Sequence, residues 1–190
     1  MNDRNRRLVV GISGASGVIL GIRLLELVSQ MDIETHLVIS PAARATISEE
    51  TEWKVSDVAG LADVSYNHGD IGAAIASGSF STIGMIVIPC SIKTLSAVAN
   101  SYAGDLLSRA ADVTLKEGRP LILVVRETPL HNGHLRLMSL AAQAGGVIYP
   151  PVPAFYARPE SVEEIVDHTV GRILARIGIE NDFYPKWKEG

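Results

Sequence analysis

Along the chain, short unbroken apolar runs give way to stretches in which apolar residues recur at helical intervals. Residues 8–12 are continuously apolar, and over 17–30 Ile19, Ile22, Leu24, Leu25 and Val28 return every three or four positions. That change of period predicts a buried strand followed by a helix. A second strand over 35–39 leads to Pro41, whose fixed φ suits the first turn of another helix. Three more runs, 85–88, 121–125 and 147–149, are separated by helical patterns over 92–117 and 131–144. Alternation of this kind predicts an α/β fold: three αβα layers around a doubly wound, mostly parallel sheet. Ser161-Val162-Glu163-Glu164 has the form of a capping box, and Val162, Ile165, Val166, Thr169, Val170, Ile173 and Ile177 mark the apolar stripe of a closing helix. The pattern is weakest over 51–81.

Composition narrows the classes. With 190 residues, 47% of them hydrophobic, the chain has material for one sizeable core, so a single domain over 1–190 is expected. The formal charge of −4 and the scattered basic residues speak against nucleic acid. Cys90 is the only cysteine, which excludes an intrachain disulfide and suits a reducing compartment. The apolar run after the charged start is too short for a signal h-region, and no stretch approaches a membrane span, so a cytoplasmic protein is expected.

Candidate chemistry collects where strands end. The run 85–88 stops at Pro89 and is followed by small hydroxyl residues, as where a parallel sheet offers backbone donors to a ligand at its carboxyl edge. Between the first strand and helix, Gly11-Ile12-Ser13-Gly14-Ala15-Ser16-Gly17 allows a tight turn with helix amides facing an anion. Its glycines lack the dinucleotide spacing, and the second strand ends at Ser40 without an acid for an adenosine ribose, which speaks against NAD. Ser13 to Ser16, Ser40, Ser91 with Thr94, and Arg126-Glu127 place hydroxyls and one arginine on four loops of one edge. Helix capping explains any one of them; together they point to a mononucleotide. Charges directly after an apolar strand, as at Arg126, call for partners.

Five segments resemble the UbiX-like flavin prenyltransferases: residues 11–17, Pro89-Cys90-Ser91 with Thr94-Leu95-Ser96, the stretch 109–117 (Arg109-Ala110-Ala111-Asp112-Val113, then Leu115-Lys116-Glu117), residues 123–130, and Pro153-Ala154-Phe155-Tyr156. They follow the family order over nearly the whole chain. The resemblance implies a flavodoxin-like flavoprotein that binds FMN and joins the dimethylallyl group of dimethylallyl phosphate to N5 and C6 of reduced FMN, without a metal. The prenylated FMN would serve a UbiD-type decarboxylase, as ubiquinone synthesis and phenolic acid decarboxylation both require. The family also tends to form homododecamers with active sites at subunit contacts.

Residue by residue, the resemblance assigns Gly14, Ala15, Ser16, Ser40, Ser91, Ile92, Lys93, Thr94 and Arg126 to FMN. Arg109, Lys116, Tyr156 and Arg172 fall to the allylic phosphate, where forked donors, a point charge and a phenol suit a dianion. Arg109 and Lys116 stand two turns apart on one helix, and Arg172 follows Ile165 by two turns, at the edge of the apolar stripe. Glu50, with Glu49 as the adjacent register, matches the family's catalytic carboxylate; Ser16 is a proton relay, Glu127 a second acid on the phosphate side, and Trp187 a wall of the prenyl pocket. Singly, each of these residues has an ordinary surface or salt-bridge reading.

Two other functions compete. A flavin-dependent decarboxylase of a cysteine-derived carboxylate would need a catalytic histidine just upstream of the 85–88 strand, and the nearest, His68, lies far from it in sequence. A non-catalytic flavin-carrying subunit would bind FMN and form no adduct. His131 and His134 lack a third metal ligand and read as polar residues at a helix start. His36, His68 and His168 have no neighbouring pattern, and Cys90 reads as a small buried hydrophobe.

Overall fold

A computed structural model describes residues 6–185. Among them, six parallel strands form one sheet in the order β3-β2-β1-β4-β5-β6: β1 (Arg7–Ile12), β2 (Glu34–Ile39), β3 (Val64–Tyr66), β4 (Gly84–Cys90), β5 (Leu121–Val125) and β6 (Val147–Ile148). Strands buried on both faces read as continuous apolar runs, because successive side chains point to opposite sides. Leu8, Val10, Ile12, Ile86, Ile88, Ile122 and Val124 meet the helices α1 (Val18–Val28), α2 (Pro41–Glu50) and α7 (Val162–Arg176). Their neighbours Val9, Met85, Val87, Cys90, Leu121, Leu123 and Val125 meet α4 (Ile92–Ala99), α5 (Leu106–Lys116) and α6 (Asn132–Gln143) on the other side. A short α3 (Val55–Gly60) buries Val58 beside the α1 layer. The result is the three-layer doubly wound architecture.

Several boundaries differ from those the pattern predicts. β4 continues through a cis Ile88–Pro89 bond to Cys90, where the sequence predicts a stop at the proline. The ladder tolerates it because the register shifts between Val87 and Cys90, and Pro89 uses its carbonyl toward β1. The single helical pattern over 92–117 is two helices. Asn100 caps α4, Ser101 turns left-handed at φ 51°, and Asp105 restarts the chain with a capping box closed by Ser108. At α7 only half of the expected box forms: Ser161 accepts from the Glu164 amide, while the Glu164 carboxylate takes the amide of Glu160. Val162 and Ile19, placed by spacing on buried stripes, are exposed. β3 lies in the weakly patterned region; it is three residues long on the sheet edge, too short to show a period.

The order reverses direction at β1, whose neighbours are β2 and β4, so the crevice beyond these carboxyl ends is the position where such sheets receive ligands.

Candidate active site

Ser13 closes that crevice from below. Its backbone N–H and its hydroxyl both donate to the Pro89 carbonyl, at 3.1 and 2.9 Å, and its Oγ accepts from the Ser91 amide at 2.7 Å. Only 1% of Ser13 is exposed, and this small group joins the loops after β1 and β4 directly. The Arg126 amide donates to the Cys90 carbonyl and ties the end of β5 to the same frame.

Two helices start at the rim with hydroxyl caps. Ser40 accepts from the Ala43 amide at 3.1 Å, and Ser91 accepts from the Thr94 amide at 3.3 Å while donating to Thr94 Oγ1. Between them lies a pocket of about 510 Å³, lined by Gly14, Ser40, Ala42, Ser91, Lys93 and Thr94 and continued by His68, Ser96, Ala97, Asn100, Tyr102, Asp105 and Ser108. Gly14 is required by proximity: a Cβ there would stand 2.3 Å from Ala42 Cβ. The N-terminal amides of α1, where an external anion is expected, are taken by the chain itself. Glu50 Oε2 accepts from Gly17 at 2.8 Å and from Val18 at 3.3 Å. Gly17, at φ 93°, supplies the left-handed turn that opens the helix.

Of the residues assigned to FMN, Gly14, Ser40, Ser91, Lys93 and Thr94 therefore line one pocket; Ala15, Ser16, Ile92 and Arg126 stand on the adjoining loops and helix start outside its lining. Arg126 and Glu127 are exposed, so neither carries the burial cost expected of charges directly after an apolar strand; Glu127 accepts from the Thr128 amide. Most of the pocket's second half carries no motif in the sequence. On α4, Lys93, Ser96, Ala97 and Asn100 repeat at helical spacing, a stripe of small and polar residues that marks the pocket wall. His68 enters from the loop after β3, with Nε2 3.4 Å from Asp105 Oδ2 and its carbonyl accepting from the Leu106 amide. Sequence distance does not place this histidine, because the contact between the loop after β3 and the start of α5 is long-range.

The four residues assigned to the phosphate do not converge within one chain. Arg109 donates to the Ala76 carbonyl and pairs with Asp112, each at 3.2 Å, and Lys116 pairs with Glu117. α5 begins at the pocket with Asp105 and Ser108, and Lys116 lies eight residues past Ser108, about 12 Å farther along the axis. Arg172 is on α7, in the layer across the sheet, and is exposed, with the buried His168 and Thr169 one turn before it. It hydrogen-bonds Tyr156, which holds its guanidinium above the ordinary value despite partial burial, and it lies 5.8 Å from the Tyr184 ring. Trp187 lies outside the described residues.

Burial pushes the Cys90 thiol well up, so it stays protonated and inert at neutral pH. His131 caps α6 by accepting from the Gly133 amide. Among the described residues, no three His, Cys, Asp or Glu side chains are grouped to hold a metal, and no helix is long and apolar enough to cross a membrane.

A doubly wound sheet with a hydroxyl-lined pocket at its switch point defines a mononucleotide-binding α/β protein. The Flavoprotein family model matches residues 1–174. The flavin prenyltransferase UbiX of Escherichia coli (strain K12) is 56% identical over 186 residues, covering 96% of this chain and 98% of that protein. A crystal structure of AnUbiX in complex with FMN and dimethylallyl pyrophosphate superposes with a TM-score of 0.95 at 48% identity, covering 97% and 98% of the two chains. A dodecameric FMN-dependent UbiX-like decarboxylase from Escherichia coli O157:H7 gives 0.93 at 50% identity, covering 96% and 99%. The chain belongs to the UbiX-like flavin prenyltransferase family.

Proposed function

We propose that this protein is a flavin prenyltransferase, transferring the dimethylallyl group of dimethylallyl phosphate to N5 and C6 of reduced FMN and delivering prenylated FMN to a UbiD-type decarboxylase. The observation that carries this reading is the near-complete alignment with a flavin prenyltransferase at 56% identity. The pocket suits the flavin nucleotide on its own terms: hydroxyl caps at two helix starts for a phosphate, and close backbone approach at Gly14. Reduced FMN supplies the two nucleophilic ring positions.

The chain's own residues bind and discharge the phosphate. Gly14, Ala15, Ser16, Ser40, Ser91 to Thr94 and Arg126 hold FMN. Arg109, Lys116, Tyr156 and Arg172 stabilise the negative charge that develops as the allylic C–O bond breaks, so no metal is needed. Glu127 protonates the departing phosphate, Trp187 shelters the allyl group, and Ser16 passes a proton to Glu50, which the Gly17 and Val18 amides hold in place. Because α5 and α7 lie on opposite faces of the sheet, one phosphate reaches Lys116 and Arg172 together only when different copies supply them. A homododecamer with sites at subunit contacts meets that need, and the dodecameric relative supports it. A cytoplasmic location goes with this reading, as does the free, buried Cys90.

The test is anaerobic incubation with reduced FMN and dimethylallyl phosphate, then mass measurement of the extracted flavin. A gain of one prenyl unit is expected; an unchanged flavin would overturn the reading and favour a flavin-carrying subunit. His68 beside Asp105 is the one observation favouring a decarboxylase, and loss of carbon dioxide from a C-terminal cysteine peptide would reveal that activity.

A further inference from the structure

His168 has no role in the function described so far, yet it stands against two residues of the phosphate set. It lies on α7 and is 7% exposed. Its Nε2 is 3.3 Å from the Tyr156 hydroxyl, and its ring meets the Tyr156 and Tyr184 rings edge to face at 5.6 and 5.8 Å. One turn on along the helix, Arg172 hydrogen-bonds the same Tyr156 and faces the same Tyr184.

The donors sort these contacts. A guanidinium only donates, so the phenolic oxygen accepts from Arg172. The phenolic O–H then points to an acceptor, and Nε2 of a neutral His168 stands at hydrogen-bond distance from it. We infer that His168 is a positioning residue: by taking the Tyr156 proton at Nε2 it keeps the phenolic oxygen turned to Arg172, which fixes the guanidinium and leaves its other N–H groups for the allylic phosphate. This rests on the proposed phosphate role of Tyr156 and Arg172.

The surroundings keep the ring in the form the relay needs. Burial is the first cause that lowers the His168 pKa, and the Arg172 charge is the second. The groups facing it are Tyr156 from the turn Phe155–Ala157, Tyr184 from the C-terminal segment and Arg172 from its own helix; α1, packed along α7, brings Arg23 already bound to Glu26 and Asp167. A protonated ring would have no acceptor at Nε2 and would repel Arg172.

The test compares His168→Leu with His168→Gln, whose amide oxygen can accept the phenolic proton. The leucine variant is expected to lose about tenfold in kcat/KM for dimethylallyl phosphate, as for one hydrogen bond to a charged group's partner, with FMN affinity unchanged and Tm lowered by no more than about 4 °C. Glutamine is expected to restore activity to within about threefold. In the native protein kcat/KM falls on the acid side as His168 protonates, and glutamine removes that limb; the ratio of the two pH profiles cancels the second ionisation of the substrate phosphate, near pH 6. Full activity in the leucine variant, or an acid limb identical in native and glutamine proteins, would overturn the inference. Arg172→Ala and Tyr156→Phe separate the two levels: if both retain full transfer, the phosphate assignment itself falls; if both lose it while His168→Leu does not, only the positioning role falls.

Discussion

The proposed flavin pocket and the proposed phosphate set are built on different principles. The pocket belongs to one chain and is fixed by the main chain: Ser13 binds two loops through three hydrogen bonds, and Ser40 and Ser91 are held by the helices they cap. The cations lie at the periphery, half-buried or exposed, on both faces of the sheet, with local partners such as Asp112 and Glu117. On the proposed reading, a preorganised cradle next to dispersed charges suits one ligand held by the fold and another held by an assembly.

The sharpest way to break this contrast is to remove a cation. Lys116→Ala or Arg172→Ala is expected to lower prenyl transfer on the order of 10²- to 10³-fold while leaving bound FMN and Tm unchanged, read by flavin fluorescence and melting. Loss of FMN in either variant would place these side chains in the cradle. Next in size is Gly14→Ala, whose Cβ collides with Ala42 Cβ; a loss of about 1–3 kcal/mol in stability is expected together with weaker FMN binding. Adding Ala42→Gly removes the closest contact but leaves the Ala42 backbone 3.0 and 3.2 Å away and puts glycine in α2, so it should recover only part of that loss in chemical denaturation, and no recovery would show that Gly14 serves a different purpose.

The strands were legible because residues such as Val87 and Leu123 sit between two helix layers and leave no polar face to interrupt the run. Capping chemistry made Ser40, Ser91 and Ser161 readable as well. What stayed hidden was long-range. Glu50 reaches the α1 amides across more than thirty residues, and His68, on the loop after β3, likewise meets Asp105 across more than thirty residues. The split of the cations between layers was equally invisible, since spacing along a helix reports its face and not which side of the sheet it covers.

Ser13→Ala is a finer probe of the cradle. It leaves the half-buried Ser91 amide without its acceptor, so about 1–3 kcal/mol of stability should be lost and FMN should bind more weakly, with transfer by the fully loaded enzyme nearly intact. Equal loss of transfer at saturating FMN would blur the division between the two regions. The smallest effect is expected away from both. His36 is buried and its pKa is lowered, first by desolvation, from the ordinary 6.5. The unfolded chain then takes up a proton before the folded one does. Stability should therefore fall as pH drops below about 6.5, with a slope no greater than about 1.4 kcal/mol per pH unit, and level off below the folded value. His36→Phe should flatten that segment of a melting-versus-pH curve without altering the acid dependence of transfer.

Complementation tests most directly whether the phosphate site is shared between copies. Lys116→Ala and Arg172→Ala chains, each nearly inactive alone, are co-expressed and prenylated flavin is measured by mass. Random assortment into mixed assemblies should rebuild native pairs of cations and restore on the order of a quarter of native transfer. A mixture no more active than the separate variants would mean that both cations act within a single chain, contrary to the layers on which they stand.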